Sequence, residues 1–388
     1  MPTKKWVLTD VDSDIFLEQV TIGPDQVGGP ARGYSVTKRV LHGGLREGVD
    51  VVEVDNGRLR FVVVPTRGMG IWRASCDQLS LGWLSPVRGP VNPAFVPQSD
   101  ANGIGWLYGF NELLVRCGLE SNGAPEFLPN GALKYPLHGR VANTPAHKVD
   151  VTIDGDSGEI AVIGVVDETR MFGNKLRMTS TIKTRVGSCE LSVVDEIQNI
   201  SAAPGELELL YHINFGMPLL TPGATVALPV KKLAPRDAVA VDNLKEWNLY
   251  GSETPGASEV CLFFDLLADS AGQTQVLLRS VTGQQGVSVK ANRNQLPCFT
   301  IWKNREAVND GYVTGLEPAV NFPNPKSFEK DHGRVIVLEP GEKRRFEVAI
   351  EAHPDVASVA KAEKAIAAIQ GAVAAEILAN PDPNWSAS

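Results

Sequence analysis

The 388-residue chain is poor in the features that mark several protein classes. No apolar run is long enough to span a bilayer; stretches such as Phe61 to Pro65 fall far short of the roughly 20 residues required. Met1-Pro2-Thr3-Lys4-Lys5-Trp6 runs into Asp10 and Asp12 without an apolar segment, so no signal peptide is expected and a cytoplasmic location is. Five cysteines are scattered at 76, 117, 189, 261 and 298, no two within four residues. That excludes a CxxC pair or zinc knuckle and favours reduced thiols. Lys+Arg is 37 against Asp+Glu 45, a net charge of -8. Neither a basic stripe for nucleic acid nor a polybasic segment for an anionic membrane is present. Only six histidines are available to carry imidazole chemistry.

The chain has 37 Gly and 26 Pro, and between them lie short β-branched runs. Val51 to Val54 and Leu59 to Val64 flank Asp55-Asn56-Gly57, where Asn-Gly supplies the positive φ of a hairpin turn. Further strands are expected at 149–153, 160–166, 176–182, 191–197, 207–213, 260–264, 275–278, 287–289, 298–302, 335–338 and 346–350. Such spacing reads as an all-β sandwich or barrel. Only 356–378, Ala-rich and following Pro354-Asp355, has a helical pattern; it is expected to cap the sheet or an interface, with a homodimer as one outcome. Gln78 to Asn130 lacks strand periodicity and is long for a connection, which marks it as a candidate functional region. No linker signal divides the chain, so one domain is expected, with its core over about 51–350. A chain this long buries roughly three quarters of its unfolded surface without needing a disulfide or metal.

Four elements combine chemistry with an unusual setting. His138 lies in Tyr135-Pro136-Leu137-His138-Gly139-Arg140, a turn dense in polar groups. His212 lies in the apolar run Leu209-Leu210-Tyr211-His212-Ile213-Asn214, where it faces either the core or a cleft; a satisfied buried histidine is the plain alternative. Glu317 stands in Gly315-Leu316-Glu317-Pro318, where burial would raise its basicity; a solvated strand-end carboxylate is the plain alternative. Arg67 and Arg116 offer planar donors suited to hydroxyls or carboxylates, or form ion pairs with acids such as Glu112.

The order His-Gly-Arg, then Tyr-His in a strand, then Leu-Glu-Pro with Asn-Phe-Pro, resembles the aldose 1-epimerase (galactose mutarotase) superfamily. Arg67-Gly68-Met69-Gly70-Ile71 and Gly109-Phe110-Asn111-Glu112-Leu113-Leu114-Val115-Arg116-Cys117-Gly118 are similar to a bacterial branch of it. The resemblance spans roughly 51–350 and implies a large antiparallel β-sandwich. It implies Glu317 as general base and His212 as general acid in the interconversion of sugar anomers. It implies His138 and Arg116 as sugar ligands, with Arg67 as a further candidate. Cys117 stands where the analogous stretch has glycine. Asp237, in Pro235-Arg236-Asp237, lies in the interval of the family's substrate-binding aspartate, and Trp302 or Trp106 could pack on a pyranose face. Leu41-His42-Gly43-Gly44 spells the family's histidine motif but precedes the first expected strands, so His42 is read as a decoy. The implied partner is a small sugar, with no cofactor and no metal. Two alternatives stay open: a metal-assisted isomerase or lyase using His138, His212, Glu112 and Glu317, and a non-catalytic carbohydrate-binding protein.

Overall fold

In the computed structural model, which describes residues 3–387, two large sheets carry almost every expected strand. One sheet has ten strands and the other fourteen; a separate two-stranded pair completes the set among the described residues. Among the described strands, pairing is antiparallel except where Glu376–Ile377 joins an edge in parallel; an isolated parallel bridge links Gly118 and Gly139. The hairpin at Asp55-Asn56-Gly57 forms as the turn chemistry dictates: Gly57 has φ +91°, and Asn56 Oδ1 accepts from the amides of Arg58 and Leu59.

The main core lies between the sheets and is built by period-2 alternation. Along Gly205–Phe215, Leu207, Leu209, Tyr211, Ile213 and Phe215 enter this core. Leu210 belongs instead to a second apolar cluster with Trp106, Phe110, Val115, Cys117, Phe263, Cys298 and Ala319. The middle of the fourteen-stranded sheet is therefore buried on both faces. Its strand order there is Val260–Leu266, Cys298–Asn304, Val313–Ala319, Gly205–Phe215, Leu114–Leu119, Gly70–Cys76.

Three boundaries differ from the sequence expectation. The core begins well before residue 51: Lys4–Asp10 pairs with Lys148–Ile153, and Leu8, Ile22 and Val36 are buried in it. These early strands alternate with charged residues and carry weak apolar runs, so tertiary pairing decides them. The C-terminal helix covers Val356–Gln370 rather than 356–378. Asp355 caps its start with a capping box to Ser358, and Gly371, at φ +52°, ends it. Its buried face, Val359, Ala362 and Ile366, packs on Leu277 of the chain's own ten-stranded sheet. Finally, the 78–130 region is not structureless; it contains the buried strand Leu114–Leu119. No described helix is long and apolar enough to cross a membrane.

Candidate active site

The registers Leu210↔Ala319 and Ile213↔Leu316 place His212 and Glu317 opposite each other on adjacent strands. Thr300↔Glu317 and Trp302↔Gly315 bring Trp302 into the same patch. These side chains leave the sheet on the face away from the main core, because His212 alternates with Tyr211 and Ile213. A cavity of about 300 Å³ opens over them. Its walls come from the 78–130 region and the histidine turn: Ile104, Trp106, Leu107, Phe110, Leu137 and His138. Arg236, Glu259, Cys261 and Trp302 close the other side.

His212 Nε2 lies 3.2 Å from Glu317 Oε1, and both residues are buried. The contact is not an aligned hydrogen bond; Glu317 Oε1 has no hydrogen-bond partner. An unpaired buried carboxyl oxygen is costly unless it is protonated or meets a ligand. Burial pushes the Glu317 carboxyl well above the usual carboxylate range, with the Glu259 carboxylate adding to it. Burial, then the neighbouring His138, pulls His212 down to about 3 against a hydrogen bond to Asn214 that favours the charged form. Both directions favour an uncharged pair sharing one proton. Gly315 makes room for it: a Cβ there would stand 2.2 Å from Glu317 Oε1 and 3.1 Å from His212 Cε1.

The two ring tautomers follow from their partners. Asn214 Nδ2 donates to the Glu112 and His212 carbonyls, so its Oδ1 is the acceptor 2.7 Å from His212 Nδ1. Nδ1 thus carries hydrogen and Nε2 faces Glu317. His138 Nδ1 lies 2.8 Å from the Asn122 carbonyl, which can only accept, leaving Nε2 as that ring's acceptor. His138 sits at φ +57°, anchored by backbone hydrogen bonds to Gly123 and Gly118. Burial lowers its pKa as well. The two imidazoles are 5.6 Å apart, edge to face, and Trp106 packs on both. Trp302 lies 5.3 Å from His212, its indole N–H held by Glu259 Oε2 at 2.7 Å.

Of the sequence-predicted residues, the structure brings together Glu317, His212, His138 and Trp302, and places Trp106 beside them. It does not bring Arg116, Arg67 or Asp237 into the cavity. Arg116 follows Val115 and precedes Cys117, so alternation turns it to the opposite face, into the space between the sheets. There its guanidinium binds both oxygens of Asp195 at 2.5 and 3.0 Å, Ser180 Oγ, and the Met69 and Gly68 carbonyls. Arg67, equally buried, bonds Glu112, Asn143 and the Gly109 carbonyl. Asp237 caps a short helix at Ala240 and holds Arg236 Nε at 2.8 Å. His42 sits on an exposed turn beside Glu47. Glu112, committed to Arg67, does not join His138, His212 and Glu317, so the four-ligand metal set is not assembled.

Sequence reasoning missed Arg236 and Glu259. Arg236 Nη2 donates to Glu259 Oε1 at 2.8 Å, and that carboxylate also anchors Trp302. Pro235-Arg236-Asp237 did mark the place, one residue off; Glu259 gives no signal in its loop. A larger groove of about 540 Å³ under the C-terminal helix brings no histidine and no comparable acid–base pair.

The comparisons agree with this architecture. The family model described as Domain of unknown function (DUF4432) matches residues 46–352. A protein from Klebsiella pneumoniae subsp. pneumoniae MGH 78578, provisionally named an aldose 1-epimerase, is 35% identical. Its structure superposes with TM-score 0.94 over 98% of this chain and 99% of that one. A galactose mutarotase-like protein from Clostridium acetobutylicum is 14% identical, with TM-score 0.56 over 82% of this chain and 98% of that one. A galactose mutarotase related enzyme from Lactobacillus acidophilus is 13% identical, with TM-score 0.54 over 78% and 97%. At that identity the last two speak for the fold alone. No curated protein matches. The chain belongs to the DUF4432 family, within the galactose mutarotase-like (aldose 1-epimerase) superfamily.

Proposed function

We propose that the protein interconverts the anomers of an uncharged cyclic monosaccharide by moving one proton through Glu317 and His212. The observation that carries this reading is the buried pair itself, 3.2 Å apart in the cavity and not bonded to each other. Ring opening removes the proton from O1 and adds one to O5 as the C1–O5 bond breaks. These oxygens share one carbon, so two neighbouring groups can face both at once. The pair carries a single proton; the partner holding it donates to O5 while the other receives the O1 proton. C1 then turns about the C1–C2 bond, and the reverse transfer closes the ring on the other face. No net charge enters the site at any stage, which suits its apolar walls.

The resemblance gives the base role to Glu317 and the acid role to His212. The two assignments differ only in where the shared proton rests, and burial favours Glu317. His138 Nε2 is available to a sugar hydroxyl, and Trp302 and Phe110 offer apolar faces to the ring. At about 300 Å³ the cavity is at the small end for ligand sites, in keeping with one sugar ring. Among the described residues, Arg236 is the only Lys or Arg lining it and is paired with the carboxylates of Asp237 and Glu259, which favours an uncharged substrate over a phosphorylated one.

Polarimetry on freshly dissolved α-sugars tests the proposal. Wild-type protein is expected to speed the optical change, and Glu317→Gln and His212→Ala to lose roughly 10²–10⁴-fold each. Wild-type rates in both variants would overturn it.

A further inference from the structure

Two of the free cysteines lie together away from the cavity. Cys76 ends the strand Gly70–Cys76 of the fourteen-stranded sheet. Cys189 precedes the strand Glu190–Asn199 of the ten-stranded sheet. Their sulfurs stand 2.6 Å apart, 113 residues apart in sequence. The backbones around them are pinned. Asn56 Nδ2 bonds Thr184 Oγ1 and the carbonyls of Arg185 and Ser188, while Cys76 pairs with Leu59 and the Cys189 carbonyl accepts from Ala352.

Two kinds of chemistry use adjacent thiols. Asp77 is the third donor of a group whose ligand atoms lie within 4.8 Å, the one such group among the described residues. Zinc holds thiolates at about 2.3 Å in a tetrahedron, which sets the sulfurs roughly 3.8 Å apart. A disulfide needs about 2.05 Å. The observed separation is much nearer the second, and Asp77 is already engaged by Arg58 at 2.6 and 3.2 Å.

We propose that Cys76 and Cys189 are a modification site for hydroperoxides, closing to a reversible disulfide that staples the two sheets. Cys76 is buried and Cys189 partly exposed, so the oxidant meets Cys189 first. Burial, with the Cys189 sulfur adding to it, pushes the Cys76 thiol well up, so Cys76 is the poorer first nucleophile; the Arg58 guanidinium, bonded to Asp77, stands beside the pair. The Cys189 thiolate attacks a peroxide oxygen; the S–O bond forms, the O–O bond breaks, and the departing hydroxide takes a proton to become water. Cys76 then attacks that sulfur, the S–S bond forms, the S–O bond breaks, and a second water leaves with the Cys76 proton. Two thiols lose two electrons and one peroxide gains them.

The test is full-length protein treated with hydrogen peroxide, digested without reductant and mapped by mass spectrometry. The expected result is a Cys76–Cys189 cross-linked peptide 2 Da lighter than the two thiol peptides together, lost on adding dithiothreitol. Closing so long a loop should raise the thermal midpoint by on the order of 5 °C. Cys189→Ser should lose both effects, while Cys298→Ser keeps them. Sulfinic acid at Cys189 with Cys76 still a free thiol would overturn the proposal. So would a stoichiometric zinc ion that protects both thiols in the untreated protein.

Discussion

Asn214 sits two residues beyond His212 on the same face of one strand and holds its Nδ1 at 2.7 Å. The amide is itself oriented by two carbonyls, so a single side chain decides which imidazole nitrogen meets Glu317. The proposed proton path therefore depends on a residue that does not line the cavity.

Replacing Asn214 with Leu should free both tautomers. We expect kcat to fall roughly 10- to 100-fold with KM little changed. Nitrogen-15 NMR of the His212 ring should show Nε2–H appearing beside Nδ1–H. A ring that keeps one tautomer while activity falls would mean that Asn214 matters only for packing.

The pH dependence follows from the pair. A second proton reaches His212 only near its value of about 3, and Glu317 keeps its proton well above 4.5. The rate should therefore stay level through pH 6.5, where an ordinary imidazolium acid would titrate. Stability carries the opposite sign for the two groups. The raised Glu317 makes the folded state hold a proton that the unfolded chain releases above about 4.5, so stability falls as pH rises from there to the folded value. The lowered His212 costs stability as pH falls from about 6.5 toward 3. Urea denaturation of Glu317→Gln against wild type should show a stability gain that widens above pH 4.5.

Arg116 and Asp195 clamp the two sheets from inside, joined by Tyr211 Oη at 2.8 Å from Asp195 Oδ2. Arg116→Leu leaves that carboxylate buried and without its counter-charge. The expected cost is about 3–5 kcal/mol in urea denaturation, with KM of the folded fraction unchanged. A sugar-binding arginine would show the reverse pattern, a raised KM at an unchanged midpoint.

Most of the fold was legible because period-2 runs between Gly, Pro and Asn turns are a local signal. The strand Leu114–Leu119 was not, since it is buried on both faces, Arg116 included, and shows no alternation. The same burial misdirected the reading of Arg116: a motif gives the residue, while the face it takes depends on pairing with strands far along the chain. His212 and Glu317 were legible as unusual polar residues in apolar runs. Glu259 was not, since an exposed loop carboxylate becomes part of a site only when Arg236 and Trp302 fold against it.

The floor of the cavity and its walls have separate origins in the chain. His212 and Glu317 are fixed by ladder hydrogen bonds in the middle of a sheet, whereas Ile104, Trp106, Leu107 and Phe110 arrive on one irregular excursion. Exchanging that excursion for another would leave the proposed proton-transfer pair standing and redraw what the cavity admits, so on that reading a change of diet needs a new rim and no new chemistry.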